Sequence, residues 1–250
     1  MPDPQPEVLD LNCDLGEGEH TSTTKALLRY VTSANLACGG HASSPKQMEQ
    51  TVQLAISARV NIGAHPGWPD RNSFGRAPIH PLPEEVSSIV LQQVSALHRI
   101  TQKYGVNLHH VKLHGALYHA CENDSKLARA FVETVQVWFP LLTIYARPNG
   151  EVLKTATKHG IKTWGEGFLD RSYDDIGNLV PRNQSHSGLL NTQEVRKRIQ
   201  HWLSAKQLLS IRKVPIKMDI QTFCIHSDSP NAVQSAKIAR EILRPQNQIR

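Results

Sequence analysis

Short apolar segments alternate along the chain with longer segments in which apolar residues recur every three or four positions. The short segments have the length of strands, and the longer ones have the spacing of helices with one buried face. The predicted strands cover residues 8–13, 33–38, 60–64, 109–114, 141–145, 161–164 and 217–225. A strand followed by a helix, seven times over, indicates parallel strands joined by crossover helices, which places the chain in the α/β class.

The helix boundaries support the same order of elements. The clearest helix covers residues 84–104, between Pro83 and Gly105, and another begins at Pro45 with Ser44 as its N-cap. The other predicted helices cover residues 25–32, the segment after Asn123-Asp124, residues 151–159, the segment around 195–203 and residues 232–243.

The length and composition of the chain limit the possible architectures and binding partners. Polar residues after the strands of a 250-residue chain favour a closed barrel over an open sheet. We predict a disordered leader at residues 1–7 and a single, seven-stranded (β/α) barrel domain at residues 8–250. The net charge is +6, but Lys and Arg are scattered, so we expect no nucleic-acid partner. No apolar run approaches the length of a membrane span. Four cysteines without close spacing favour a reduced, cytoplasmic protein.

Polar side chains follow six of the seven predicted strands. They are Asp14 and Glu17, His41, His65, Lys112 with His114, Glu166 with Asp170 and Arg171, and His226 with Asp228. Each group alone has a structural explanation: Asp14 and Glu17 could cap the next helix, and Lys112 could lie on an exposed edge strand. In a barrel, however, the carboxyl ends of all strands converge on one mouth. The recurrence at strand ends therefore predicts a common functional site.

Two chemistries fit this set of side chains. In the first, Asp14 and two or three of the histidines bind a divalent metal ion such as Zn²⁺, which activates water. In the second, no metal is involved: a carboxylate or a histidine acts as general base, and Lys112 and Arg182 hold an anionic substrate. The spacing of the residues does not decide between the two, because they come from different strands.

The predicted roles of these residues overlap. The catalytic candidates are Asp14, Glu17, His41, His65, Lys112 and His114. The candidates for substrate binding are Lys112, Asp170, Arg171, Arg182 and His226. The candidate metal ligands are Asp14, His65 and His114. Neither a G-x-G-x-x-G fingerprint nor a P-loop motif is present, so we expect no nucleotide to be bound by this chain itself.

Longer motifs that contain these residues resemble the LamB/YcsF family. They are Leu11-Asn-Cys-Asp-Leu-Gly-Glu17, Ser33-Ala-Asn-Leu-Ala-Cys-Gly39 with His41, Gly63-Ala-His-Pro66 with Pro69-Asp70, Phe74-Gly-Arg76, His110-Val-Lys112 with His114-Gly-Ala-Leu-Tyr118, Asp170-Arg171 with Tyr173, Leu179-Val-Pro-Arg182 and Cys224-Ile-His226. The match runs from about residue 8 to residue 243, which makes the resemblance specific at the level of the family.

This resemblance implies a barrel of the glycoside hydrolase/deacetylase type, usually with seven strands. It implies the A subunit of a bacterial ATP-dependent 5-oxoprolinase, which hydrolyses the lactam of 5-oxo-L-proline (pyroglutamate) to L-glutamate. It also implies partner subunits B and C, which would bind ATP and activate the lactam by phosphorylation. Because a phosphorylated lactam is the better electrophile, a site that guides water and binds charge could complete the reaction.

The chain departs from the family pattern at several positions beside these motifs. Gly40 stands where the family has Phe, Ser44 replaces an acidic residue, Leu113 replaces Pro, His119 replaces Asn and Ser227 replaces Gly. Two alternatives to the oxoprolinase interpretation therefore stay open. One is a stand-alone, metal-dependent deacetylase or amidohydrolase with the same Asp and His residues. The other is a divergent binding or regulatory subunit without turnover.

Overall fold

Seven parallel strands close into a barrel in the computed structural model, which describes residues 9–182, 184 and 191–243. The strands in chain order are β1 (Asp10–Leu15), β2 (Ser33–Ala37), β3 (Asn61–His65), β4 (His110–Val111), β5 (Thr143–Ala146), β6 (Thr163–Phe168), β7 (Gln207–Leu209), β8 (Pro215–Lys217) and β9 (Thr222–His226). β1 to β6 pair in sequence, and β9 closes the barrel by pairing with both β6 and β1. β7 and β8 form a separate antiparallel hairpin. The predicted seven-stranded α/β barrel is confirmed.

Eight helices accompany these strands in the described part of the chain. They are α1 (Thr21–Leu27), α2 (Pro45–Ala58), α3 (Pro83–Gln102), α4 (Gly115–Asn123), α5 (Ser125–Trp138), α6 (Glu151–Lys158), α7 (Thr192–Ala205) and α8 (Ala232–Leu243). The predicted stripe of α3 is buried, with Val86, Val90 and Leu97 fully enclosed. None of the helices described here is long and apolar enough to cross a membrane.

The interior of the barrel holds a chain of hydrogen bonds between polar side chains. Thr222 on β9 donates its hydroxyl to Asp10 at 2.6 Å and accepts from Asn12 Nδ2 at 2.6 Å. Asn35 on β2 donates to Asn12 Oδ1 and to Asp14 Oδ1, each at 2.7 Å. Asp10, Asn12 and Asp14 alternate along β1, so they share its inner face, whereas the intervening apolar residues belong to the core. The network positions Asp14 at the carboxyl end of the barrel.

The extents of three predicted strands were wrong. The segment 109–114 contributes only His110–Val111 to the barrel, and the following residues form α4, which the pattern did not predict. The segment 217–225 is divided between β8 and β9. The leader at residues 1–7 lies outside the described residues, and the domain boundaries 8–250 stay a prediction.

The third difference lies in β6, which continues through Gly165-Glu-Gly-Phe168, where a loop was predicted. The two glycines of this segment do not form a turn, but allow neighbouring parts of the chain to pack closely against the strand. A Cβ atom at Gly165 would lie 2.0 Å from the carbonyl oxygen of Asp219, and one at Gly167 would lie 2.6 Å from Ile220. As a result Glu166 belongs to a barrel strand and is buried.

We expect Gly63→Ala to destabilise the protein by about 1–3 kcal/mol, because the barrel interior has no room for the added methyl group. An ideal Cβ atom there would lie 2.0 Å from His110 Nε2. The His110 ring is fully buried and bonded to Asn35 Oδ1 at 2.6 Å, so it cannot simply move aside. Urea unfolding of Gly63→Ala in the wild-type and His110→Ala backgrounds measures this clash. An equal cost in both backgrounds would contradict it.

Candidate active site

Lys112 follows β4 directly, and its ammonium group bridges two buried carboxylates. Its Nζ atom lies 2.9 Å from Asp14 Oδ1 and 3.0 Å from Glu166 Oε1, and the Cys224 thiol is 3.1 Å away. Only 2% of Lys112 is exposed, which rules out an edge-strand position. Burial alone would lower the pKa of Lys112, but the charges around it, with Asp14 foremost, hold that pKa well above its usual value. The ammonium group therefore stays charged.

The two carboxylates beside Lys112 differ in their surroundings. Burial would raise the pKa of Asp14, but His65 and Lys112 hold it well below its usual value. At Glu166 burial outweighs the attraction of Lys112, and the pKa is raised. Asp14 Oδ1 also accepts a hydrogen bond from Asn35, whereas Glu166 Oε2 has no hydrogen-bond partner among the described residues. Asp14 is therefore the better stabilised anion.

A second group of side chains, here called the histidine cluster, lies next to Asp14. Its members are Glu17, His41, His65 and His114. Glu17 Oε1 lies 2.9 Å from His41 Nε2, 3.1 Å from His114 Nδ1 and 3.6 Å from His65 Nε2. The four ligand atoms all lie within 4.8 Å of one another, so the cluster could hold a divalent metal ion.

Asp14, a predicted metal ligand, touches this cluster at one edge. Its Oδ2 atom lies 3.3 Å from His65 Nε2. It also forms a separate possible ligand group with Cys224 and His226. The structure thus brings Asp14 and His65 together as predicted, and it adds Glu17 and His41 around the same histidine.

Charge is distributed unevenly over the histidine cluster. The neighbouring rings of His114 and His41 outweigh burial and hold the pKa of Glu17 well below its usual value. Burial lowers the pKa of His41 to about 4 and also lowers the pKa of His114. At His65 the charge of Asp14 outweighs burial and raises the pKa. Near neutral pH the carboxylates of Glu17 and Asp14 are therefore ionised, and the rings of His41 and His114 are neutral.

His226 stands at the end of β9, opposite Asp14 in the strand register. Its Nδ1 atom donates to Asp170 Oδ1 at 2.9 Å, and its backbone N–H donates to Asp170 Oδ2 at 2.9 Å. Its Nε2 atom then carries the lone pair and lies 3.9 Å from Asp14 Oδ2. Asp170 is fully buried, so it positions His226 instead of facing the cavity above.

A cavity of about 730 Å³ opens above these groups at the carboxyl ends of the strands. Asp14, His65, Lys112, His114 and His226 lie in its lining. Four arginines line it as well, namely Arg76, Arg147, Arg171 and Arg182. This concentration of guanidinium groups suits a small anionic ligand.

Arg171 is the most enclosed of these arginines, with 5% of its surface exposed. It donates from Nη2 to the Val180 carbonyl at 2.8 Å, whereas its Nε has no hydrogen-bond partner among the described residues. Burial and the neighbouring charge of Arg182 lower the pKa of Arg171 to about 10. A buried, under-satisfied cation in a cavity wall is a suitable anchor for an anion.

Arg76 and Arg182 face each other across Asp228 at the rim of the cavity. Asp228 Oδ2 accepts from Arg76 Nη2 at 2.7 Å and from Arg182 Nη1 at 3.2 Å. All three side chains are about one-third exposed, so these ion pairs are screened by solvent. The guanidinium of Arg76 also lies 4.6 Å above the Phe74 ring.

The departures from the family motifs do not displace the groups described above. Ser44 caps α2 by accepting from the Gln47 backbone N–H at 3.3 Å. Gly40 has no room for a larger side chain, because a Cβ atom there would lie 2.4 Å from Gln93. Gln93 in turn bonds the carbonyl of Gly67 at 2.7 Å.

Every catalytic candidate from the sequence is Lys112, its partner Asp14 or a member of the histidine cluster. Glu166 was counted among the polar residues near strand ends but was given no catalytic or binding role. Arg147 was missed. It directly follows β5, so the same rule of polar residues at strand ends would have found it.

The fold and the site define a (β/α)-barrel protein of the kind that performs its chemistry at the carboxyl ends of the strands. The chain matches the LamB/YcsF family over residues 9–249. It is 37% identical over 238 residues to a Pyrococcus abyssi protein named as the A subunit of 5-oxoprolinase, covering 94% of this chain and 93% of that one. A Nitrobacter winogradskyi protein of the same name is 38% identical over 240 residues, covering 94% of each chain. The chain therefore belongs to the LamB/YcsF family.

Solved structures agree with this assignment. The crystal structure of a lactam utilization protein from Thermus thermophilus has a TM-score of 0.86 and 35% identity, and the match covers 94% of this chain and 96% of that one. A GH113 β-mannanase from Alicyclobacillus acidocaldarius has a TM-score of 0.54 at 10% identity, over 94% of this chain and 97% of that one. The latter likeness concerns the fold alone.

Proposed function

We propose that this chain is the A subunit of an ATP-dependent 5-oxoprolinase and hydrolyses the activated lactam of 5-oxo-L-proline to L-glutamate. The observation that carries the proposal is the charged Lys112, held between Asp14 and Glu166 beneath an arginine-lined cavity. The names of the relatives, the A subunit of 5-oxoprolinase and lactam utilization protein, support the same substrate class. Subunits B and C would bind ATP and activate the lactam. Four buried, free cysteines fit a cytoplasmic location.

In this proposal the cavity arginines hold the anionic groups of the activated substrate, with Arg171 as the innermost anchor. Water adds to the phosphorylated lactam carbon, the C–N bond opens, and a proton reaches the ring nitrogen, which leaves an acyl phosphate. A second water then hydrolyses the acyl phosphate to the glutamate carboxylate and inorganic phosphate. The lone pair of His226 Nε2 accepts the proton from water, since Asp170 fixes the tautomer of that ring. Lys112 stabilises the negative charge that develops on oxygen. A divalent ion in the histidine cluster would, when bound, supply water activation.

The alternative of a non-catalytic subunit predicts a damaged site, and the alternative of a stand-alone amidohydrolase predicts independence from ATP. The intact contacts of Asp14, Lys112 and His226 favour turnover over the first alternative. The cationic cavity favours an anionic substrate over a neutral N-acetyl sugar.

The test is reconstitution of this chain with subunits B and C, measuring 5-oxoproline-dependent release of ADP and glutamate. We expect glutamate only when all three subunits and ATP are present. Omission of each subunit in turn is the control. Amide hydrolysis by this chain alone without ATP would favour the stand-alone amidohydrolase. ATP turnover without glutamate would favour the non-catalytic subunit.

A further inference from the structure

We propose that Glu17, His65 and His114 bind one divalent transition-metal ion through Oε1, Nε2 and Nδ1, and that His41 positions Glu17 without being a ligand. This assignment stands on the geometry of the histidine cluster and not on the lactam chemistry. It keeps His65 and His114 of the predicted metal set and makes Glu17, instead of Asp14, the carboxylate ligand.

Two backbone carbonyls determine which ring nitrogens can bind a metal. His65 Nδ1 donates to the Lys112 carbonyl at 2.8 Å, and His114 Nε2 donates to the Phe74 carbonyl at 3.0 Å. Because a carbonyl only accepts, both nitrogens carry hydrogen. Metal binding releases any proton on the other nitrogen of each ring, so the lone pairs of His65 Nε2 and His114 Nδ1 then face the cluster. A metal-binding histidine usually has such a partner on its other nitrogen.

The two ring nitrogens and Glu17 Oε1 are separated by distances typical of atoms that bind the same metal ion. His65 Nε2 and His114 Nδ1 are 3.0 Å apart, and Glu17 Oε1 lies 3.1 Å from the latter and 3.6 Å from the former. Ligands at 2.0–2.1 Å from a tetrahedral zinc ion are separated by about 3.3 Å. Without a proton or a cation between them, two lone pairs at this distance repel each other. Two histidines and one glutamate also form a known catalytic zinc set with an open position.

His41 does not fit as a further ligand, because its ring stacks on His114. The two ring centroids are 3.6 Å apart and the planes differ by 2°. An imidazole lone pair lies in the plane of its ring, so the lone pairs of two stacked, parallel rings do not meet at one point. An ion between them would lie well outside both planes. Only one of the two rings can therefore coordinate.

The surroundings of His41 show which of the two stacked rings binds the metal ion: it is His114. His41 Nδ1 is buried without a hydrogen-bond partner among the described residues. A Cβ atom at Gly67 would lie 2.4 Å from it, so the space next to it is filled. If Nε2 bound a metal, Nδ1 would carry an unsatisfied buried hydrogen. If instead Nε2 donates to Glu17 Oε1 at 2.9 Å, Nδ1 keeps only a lone pair. His41 is thus a positioning residue for Glu17.

Asp14 is not assigned as a ligand, because it already pairs with Lys112. Its Oδ1 atom accepts from Lys112 and Asn35, and Asp14 is not a member of the cluster whose four ligand atoms all lie within 4.8 Å of one another. Asp14 therefore lies beside the proposed metal ion as the partner of Lys112, with its Oδ2 atom 3.3 Å from His65 Nε2.

The test uses the full-length chain, stripped with a chelator and titrated with Co²⁺, whose visible absorption reports the ligand set. We expect one equivalent of Co²⁺, and one equivalent of Zn²⁺ by elemental analysis after dialysis. Glu17→Gln and His114→Gln should weaken binding at least about 100-fold. His41→Gln should keep the stoichiometry and weaken binding by no more than about 10-fold. His119→Gln, in the cavity wall outside the cluster, is the matched control.

Absence of Co²⁺ binding to the wild-type chain would overturn the proposal. An equal loss in His41→Gln and His114→Gln would overturn the choice of ligands. X-ray absorption of the zinc-loaded wild-type protein provides a readout without any variant: we expect two imidazole ligands, and three contradict the assignment. Neither measurement uses substrate or partner subunits. The metal-site proposal and the proposed lactam hydrolysis can therefore each be disproved while the other stands.

Discussion

Replacing Lys112 by methionine is expected to lower glutamate release in the reconstituted enzyme by about 10²–10³-fold and the free energy of unfolding by about 3–5 kcal/mol. Lys112 is the cation that pairs with both Asp14 and Glu166, and all three are buried. Its removal leaves Glu166 without its paired cation and leaves Asp14 with His65 as its remaining close partner. The measurements are steady-state kinetics in the reconstituted complex and urea unfolding of the isolated chain.

The loss of stability should depend on pH in a defined direction. In the wild-type protein the pKa of Asp14 is below its usual value, so its contribution is present at neutral pH and disappears on acidification. In Lys112→Met the carboxyl of Glu166 loses the largest charge that opposes burial, so its pKa rises further, whereas His65 still lowers the pKa of Asp14. At Glu166 the folded variant then binds more protons than the unfolded chain, and its stability falls as the pH rises. The deficit relative to wild type should therefore be smaller at pH 5 than at pH 8.

Lys103→Met is the matched control, because Lys103 pairs with Glu49 at 3.5 Å on the surface. We expect no measurable change in its Tm or in turnover. A pH-independent deficit in Lys112→Met would contradict the view that the unpaired Glu166 carboxylate causes it. Full turnover in that variant would remove Lys112 from the proposed machinery.

Replacing Arg171 by methionine is expected to have the opposite pattern: a large loss of substrate binding with little loss of stability. Among the described residues the buried guanidinium makes one hydrogen bond, and it is repelled by Arg182, so an apolar replacement of similar length should be neutral or stabilising. The KM for 5-oxoproline should rise about 10–100-fold if Arg171 anchors an anionic group of the substrate. Calorimetry with inorganic phosphate measures the same loss without the partner subunits.

Arg198→Met is the matched control for Arg171→Met, because Arg198 is an arginine with a structural role. Its Nη1 donates to the Phe168 carbonyl at 2.9 Å and also to the Arg171 carbonyl. Its removal should lower stability by about 2 kcal/mol or more and leave phosphate affinity unchanged. If Arg171→Met is the less stable variant of the two and still binds phosphate, Arg171 is structural and the proposed anion site is wrong.

The strand ends that carry the candidate site could be located from the sequence, because the rule behind them is local. His65 and His226 are the last residues of β3 and β9, and His41 lies in the loop that follows β2. Such strand ends can be recognised from apolar runs that stop at Gly, Pro or polar residues. Parallel strands with crossover helices then bring all these ends to one mouth. Arg147 was overlooked although it obeys the same rule.

The extents of β4 and β6 could not be read from the sequence, because neighbouring chain segments and not local preference set them. Gly165 and Gly167 resemble a turn in the sequence, but in the barrel they admit the backbone of Asp219 and the side chain of Ile220. That difference moved Glu166 from a loop to the barrel interior, where it meets Lys112.

The sequence by itself determined the alternation of strands and helices that makes the seven-stranded barrel, the family and most of the polar side chains at its mouth, since each of these depends on periodicity or on contiguous motifs. It did not reveal α4 or the hairpin of β7 and β8. The tertiary structure decided which of those side chains touch. Lys112 pairs with Asp14 and Glu166 across long stretches of chain, and the carbonyls of Lys112 and Phe74 choose the nitrogens that His65 and His114 present to each other. Distances and tautomers are properties of atoms packed together from different strands, so no pattern along one strand contains them.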